Sequence, residues 1–192
     1  MKPRCLILLG ALVAASAALL FACGSTSSHE SSTADDDVAA ETVWTDTTSG
    51  LAWQSGAAVG TIPYLGENAQ SYCAGLTWAG ESGWRLPTIT ELRSLVRGCP
   101  ATDAGDSCGV TNSCAQSNCW SNTCFGCTNY LGGPGPGGAY WPAELTGFVG
   151  ASGYWSSTAV TDSPNALWVV NFFYGGVGNL SDIINGCVRC VR

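Results

Sequence analysis

Five cysteines fall within the twenty residues CGVTNSCAQSNCWSNTCFGC, from Cys108 to Cys127. A segment of this kind takes its shape either from disulfides or from a bound metal, and the compartment decides between them. The N-terminus bears on the compartment. Lys2 and Arg4 precede an apolar run from Cys5 to Ala22 that only Gly10 and Ser16 interrupt. A basic start followed by an apolar core is the pattern of a secretory signal, here residues 1–22. The run closes on Leu20-Phe21-Ala22-Cys23-Gly24, which has the form of a bacterial lipobox and makes Cys23 the expected lipid attachment site. Ordinary cleavage and an uncleaved anchor, slightly short of a full span, are the alternatives. Two or three acyl chains would hold the protein stably in a membrane. No Asp follows Cys23, the pattern of proteins sent on to the outer membrane.

Residues 23–42 continue as GSTSSHESSTADDDVAAET after Cys23. With almost nothing to bury, this stretch reads as a disordered tether about 25 Å long. The folded part is then residues 43–192, the size of one domain. Without the signal, five arginines face fourteen acids, a side-chain charge of −9. Nucleic acid and anionic lipid surfaces both need clustered positive charge, so neither is an expected partner. The lone His29 lies in the tether and Lys2 leaves with the signal. A domain with neither residue cannot build a Ser-His-Asp triad, a histidine zinc site, a Schiff-base lysine or a P-loop.

For an exported chain, the nine remaining cysteines are disulfide candidates: Cys73, Cys99, Cys108, Cys114, Cys119, Cys124, Cys127, Cys187 and Cys190. From Gly98 to Tyr140 the larger apolar residues are few: Val110, Trp120, Phe125, Tyr130, Leu131 and Tyr140. Ordering a residue costs about 1–2 kcal/mol of backbone entropy, and burying each such side chain returns about 1.5–3 kcal/mol. Burial loses that comparison, and each disulfide offsets about 2–4 kcal/mol. Cys124-x-x-Cys127 and Cys187-x-x-Cys190 leave a four-thiolate zinc site as the rival reading. Redox chemistry at the second pair would need a helix N-terminus, whereas GCVRCVR reads as a strand that points Cys187 and Cys190 to opposite faces. An odd count leaves one cysteine over.

Along the chain, Thr42–Asp46 and Leu51–Gln54 flank a Thr-Thr-Ser-Gly turn, predicting a hairpin. Residues 67–79 place Ala69, Tyr72, Cys73, Leu76 and Ala79 on one face of a predicted helix that Gly80 stops. Thr88-x-x-Glu91 is a capping box opening a second helix to about Arg97, with Ile89, Leu92, Leu95 and Val96 inward. Residues 132–138 (GGPGPGG) form a loop. Residues 154–158, 167–174 and 183–191 read as strands.

The pieces SGLAWQ (49–54), YCAGL (72–76), GWRLPTITELRSL (83–95), YWSST (154–158), ALWVVNF (166–172) and VRCVR (188–192) follow in this order. The set resembles a bacterial domain family typified by the C-terminal domain of the Lcl collagen-like adhesin. The resemblance implies an α+β, C-type-lectin-like fold, similar also to formylglycine-generating enzymes: two helices packed on small antiparallel sheets with long loops. It implies adhesion or ligand binding, with polysaccharide binding attributed to the adhesin, and it suggests that Cys73 pairs with Cys190; the expected partner is a polysaccharide or an envelope protein. The cysteine-rich insertion, residues 98–140, departs from the usual family connection. Nothing matches the catalytic cysteine pair of formylglycine-generating enzymes.

Four residues are candidates for ligand contact. Arg85 suits an anion, though an arginine in such a motif more often pairs internally. Trp120, Trp141 and Trp155 suit sugar stacking, with Trp53, Trp84 and Trp168 assigned to the core and Trp120 favoured because it lies in the insertion. Asp103, Asp106, Asp162, Asn165 and Asp182 offer oxygen ligands for calcium without EF-hand spacing. Ser156-Ser157 has no base to activate it. The expectation is an envelope binding or adhesion module without catalysis. The alternatives are a carboxylate hydrolase, with two of Glu67, Glu81, Glu91, Glu144 and the loop aspartates about 5–10 Å apart, and a purely structural envelope protein.

Overall fold

The computed structural model describes residues 40–56, 64–103, 107–147 and 153–192. Cys23, the tether before residue 40 and Asp106 lie outside them. Strands β1 (Thr42–Thr45) and β2 (Ala52–Ser55) form the expected hairpin, with Trp44 opposite Trp53. The turn is fixed by Asp46, whose carboxylate accepts from the Thr48 N–H at 3.0 Å and the Ser49 hydroxyl at 2.9 Å. These bonds hold its pKa down, against the opposing effect of burial. The C-terminus returns to this hairpin. Ala52 and Arg192 exchange backbone hydrogen bonds at 2.9 Å, and Val191 and Arg85 do the same on the other side.

Strand β3 (Tyr64–Leu65) pairs with β7 (Asn185–Gly186) and runs into helix α1 (Gly66–Ala74). The spacing predicts a helix to Ala79; the observed one is a turn shorter. Ala79 and Gly80 both have positive φ, in a tight turn that pairs Trp78 with Glu81. The Trp78 indole N–H donates to the Thr42 and Ser55 carbonyls. Burying Trp78 outweighs continuing a weakly amphipathic helix.

Helix α2 (Ile89–Arg93) begins on the predicted capping box: the Thr88 side chain accepts from the Glu91 N–H, and the Glu91 carboxylate accepts from the Thr88 N–H. It is shorter than predicted, but Leu95 and Val96 continue in tight turns, and all four predicted inward residues are buried.

Strands β4 (Tyr154–Ala159), β5 (Ala166–Asn171) and β6 (Gly176–Ser181) form an antiparallel sheet in that order. The expected strand over 183–191 is corrected. Only Asn185–Gly186 is strand, and Ile183 and Ile184 are exposed in the preceding turn. The third strand is instead the glycine-rich GVGNLS, paired with β5 along its full length. β5 divides two apolar clusters. Trp168 and Val170 face a large one with Trp53, Ile89, Leu92, Trp141, Tyr154 and Phe172, while Val169 faces a smaller one with Cys73, Trp78, Trp84 and Trp155. The architecture is α+β, with two short helices on small antiparallel sheets.

Four disulfides hold it. Cys73–Cys190 joins α1 to the last segment. Cys99–Cys127, Cys108–Cys124 and Cys114–Cys119 lie one inside the next along the insertion. The two cysteines of each Cys-x-x-Cys have different fates, and Cys124, Cys127 and Cys190 are each bonded to another sulfur, so the four-thiolate set does not form. Cys187 keeps a thiol that burial pushes up to about 11.

Candidate functional site

The insertion lies along the turn between β5 and β6. The Cys127 N–H donates to the Tyr174 carbonyl at 2.8 Å, the Leu131 N–H to Phe173 at 2.8 Å and the Tyr140 N–H to Phe172 at 2.9 Å. Gly126, at φ 82°, lets the two backbones approach; a Cβ there would sit 2.4 Å from the Tyr174 oxygen. The Trp168 indole N–H reaches the Ala115 carbonyl at 3.0 Å, and the Asp162 carboxylate accepts from the Ser117 N–H and hydroxyl. With so little apolar side chain inside the insertion, disulfides and bonds to the sheet fix its course.

Two clefts open where the insertion meets this turn. One, about 340 Å³, is lined by Trp120, Phe125, Tyr174, Val177 and Asn179. The second, also about 340 Å³, is lined by Phe125, Thr128, Tyr130 and Tyr174. Phe125 and Tyr174 belong to both walls. Trp120 is half-buried, held by its indole N–H to the Val177 carbonyl at 2.8 Å, and meets Phe125 edge to face at 4.8 Å. Phe125 is 63% and Tyr130 64% exposed. Burial, helped by the neighbouring Tyr130, pushes the Tyr174 hydroxyl above its usual 10.0, so it stays an uncharged donor and acceptor.

The other predicted contact residues are dispersed. Trp141 and Trp155 are fully buried, which corrects the three-tryptophan platform. Trp141 lies under the Arg189 guanidinium, 4.5 Å from its ring centre, and packs on Tyr154 and Phe172. Trp155 packs within the Cys73 cluster. Arg85 gives both terminal nitrogens to Glu91, at 2.8 and 2.6 Å. This ion pair, with the Thr88 bonds, holds the Glu91 carboxyl below its usual 4.5. The cleft beside it, about 450 Å³, therefore presents a neutralised pair to any anion. Asp103 lines a separate cleft with Asp46 and Arg97, while Asp162 caps Ser117. Among the described residues no three His, Cys, Asp or Glu side chains gather as a metal site would require. Glu81 pairs with Arg192 at 2.9 Å, and Glu67 and Glu144 are exposed on other elements.

Sequence reasoning missed Phe125, Tyr130 and Tyr174 as site residues by counting the first two toward a core. Aromatic residues in a segment with few large apolar partners of its own were the available signal. It also missed Arg189, wholly buried, which donates to the carbonyls of Gln54 at 2.5 Å, Thr146 at 3.0 Å and Gly147 at 2.7 Å.

No curated protein matches the chain. A family model does: residues 42–192 match the Lcl C-terminal domain, from β1 through the insertion and clefts to the last residue. The chain belongs to the Lcl C-terminal domain family.

Proposed function

We propose that this protein is a lipid-anchored adhesion module of the bacterial envelope, binding a glycan at the clefts between the insertion and the β5–β6 turn and performing no chemistry. The observation that carries this reading is the half-buried Trp120 set edge to face against the exposed Phe125, on a segment that disulfides hold in place. Aromatic faces flanked by a few polar groups suit the apolar faces and hydroxyls of a pyranose. Membership in the Lcl C-terminal domain family supports adhesion, and four disulfides suit an oxidising compartment outside the cytosol. Acylation of Cys23 then supplies the anchor, with the outer membrane as destination. We read the fold as C-type-lectin-like, because the C-terminal segment returns beside β2 and is tied to α1 by Cys73–Cys190, with a long disulfide-held insertion between α2 and β4.

The test is a glycan array probed with the full-length protein. The reading predicts binding to at least one surface polysaccharide, and bound polymer recovered at unchanged length. An array blank for every glycan would refute adhesion through sugars, and shortened polymer would replace the binding module with a hydrolase.

A further inference from the structure

The charge inventory of the domain restricts what the two clefts can hold. Beyond Lys2 the chain has no lysine, and residues 43–192 contain five arginines. Each has other work. Arg85 is paired with Glu91, and Arg192 with Glu81. Arg189 is fully buried among backbone carbonyls. Arg93 is 4% exposed and donates to the Val110 carbonyl. Arg97 donates to the Ser94 and Val96 carbonyls and lies 4.0 Å from Asp46. None lines either cleft, and among the described residues neither does any Asp or Glu.

We infer that the clefts form one site for an uncharged polysaccharide, laid across Phe125 with sugar units on both sides of it. This rests on the glycan-binding reading and narrows it. A sulfated or carboxylated polymer would enter a site with no cation to meet it, on a domain whose nine acids outnumber its five arginines, so desolvating its anions would go uncompensated. A cationic polymer would find no carboxylate. An uncharged chain loses nothing on either count: its ring faces stack on Trp120, Phe125 and Tyr130, and its hydroxyls meet the Asn179 amide, the Thr128 hydroxyl and the Tyr174 phenol. Because Phe125 and Tyr174 wall both clefts, a bound chain that fills one continues naturally into the other, and a single sugar uses only half of the surface.

Affinity electrophoresis of the full-length protein tests this, in gels containing neutral glucans (laminarin, mixed-linkage β-glucan, dextran) or galactomannan, and in parallel gels containing their sulfated derivatives or alginate. Retardation by a neutral polymer is expected, with its sulfated derivative bound at least about tenfold more weakly, as an unpaired charge in the cleft requires. Phe125→Ala should weaken the neutral polymer about tenfold or more through loss of a central aromatic contact. Tyr130→Ala should weaken the polymer while leaving a disaccharide of the same sugar unaffected. Both side chains are more than 60% exposed, so the variants keep the fold, and an unchanged near-ultraviolet dichroism spectrum checks it. Retardation by anionic polymers alone would overturn this inference and leave glycan adhesion standing. Wild-type binding by both variants would overturn the site. No retardation by any polymer would overturn both readings.

Discussion

A variant carrying Cys73→Ala and Cys190→Ala melts about 10–20 °C below the wild type. The bridge closes a separation of 117 residues, and both sulfurs are fully buried. A cross-link over about a hundred residues removes about 4.7 kcal/mol of chain entropy from the unfolded state. In a domain of this size, each kcal/mol moves the midpoint by about 2–4 °C. The insertion supplies the control. Cys114–Cys119 spans only 5 residues, and Cys114 is exposed, so its loss costs about 2 kcal/mol on the same scale. Scanning calorimetry of the two double variants separates them. Equal losses would show that loop closure is not what the long bridge contributes.

Arg189→Ala should destabilise the domain by about 3–5 kcal/mol, the range for one partner removed from a buried polar cluster. Arg189 is wholly enclosed, and burial pulls its pKa below the ordinary arginine value, though an arginine stays charged. Among the described residues no carboxylate forms an ion pair with it. Its charge is met by three carbonyl dipoles, from β2 and the 146–147 segment, and by the face of Trp141. Truncation leaves those carbonyls buried without their donor, at about 1–3 kcal/mol each before water enters. Arg189→Lys should recover only part of the loss, because a point ammonium cannot fork between the Gln54 and Gly147 oxygens. Urea denaturation of the three proteins checks this. An alanine variant within about 1 kcal/mol of wild type would mean the cluster relaxes without cost.

The parts of this fold that sequence makes legible are those decided locally. The Thr88–Glu91 capping box and the Thr-Thr-Ser-Gly turn use side chains that bond to backbone a few residues away, and both form as their spacing predicts. Elements decided by distant partners are not legible. α1 ends early because Trp78 finds carbonyls on β1 and β2. β6 has the composition of a turn and becomes a strand only through β5 beside it. Arg189, in the sequence Val-Arg-Cys, looks like a surface residue until Gln54 arrives from β2 and Trp141 and Thr146 from the loop before β4. The site divides the same way. Trp120 stands out because its segment carries few large apolar residues of its own. Trp141 and Trp155 carry no local mark of burial, and Phe125 needs the β5–β6 turn to become the ridge between two clefts.

The central claim is that sulfur–sulfur bonds, rather than a metal, shape the insertion. Non-reducing peptide mapping by mass spectrometry, with zinc measured on the same sample, tests it most directly. The account predicts Cys73–Cys190, Cys99–Cys127, Cys108–Cys124 and Cys114–Cys119, a thiol at Cys187 that alkylates only after denaturation, and no stoichiometric zinc. Reduced thiols at Cys124, Cys127, Cys187 and Cys190, with one zinc per chain, would contradict it.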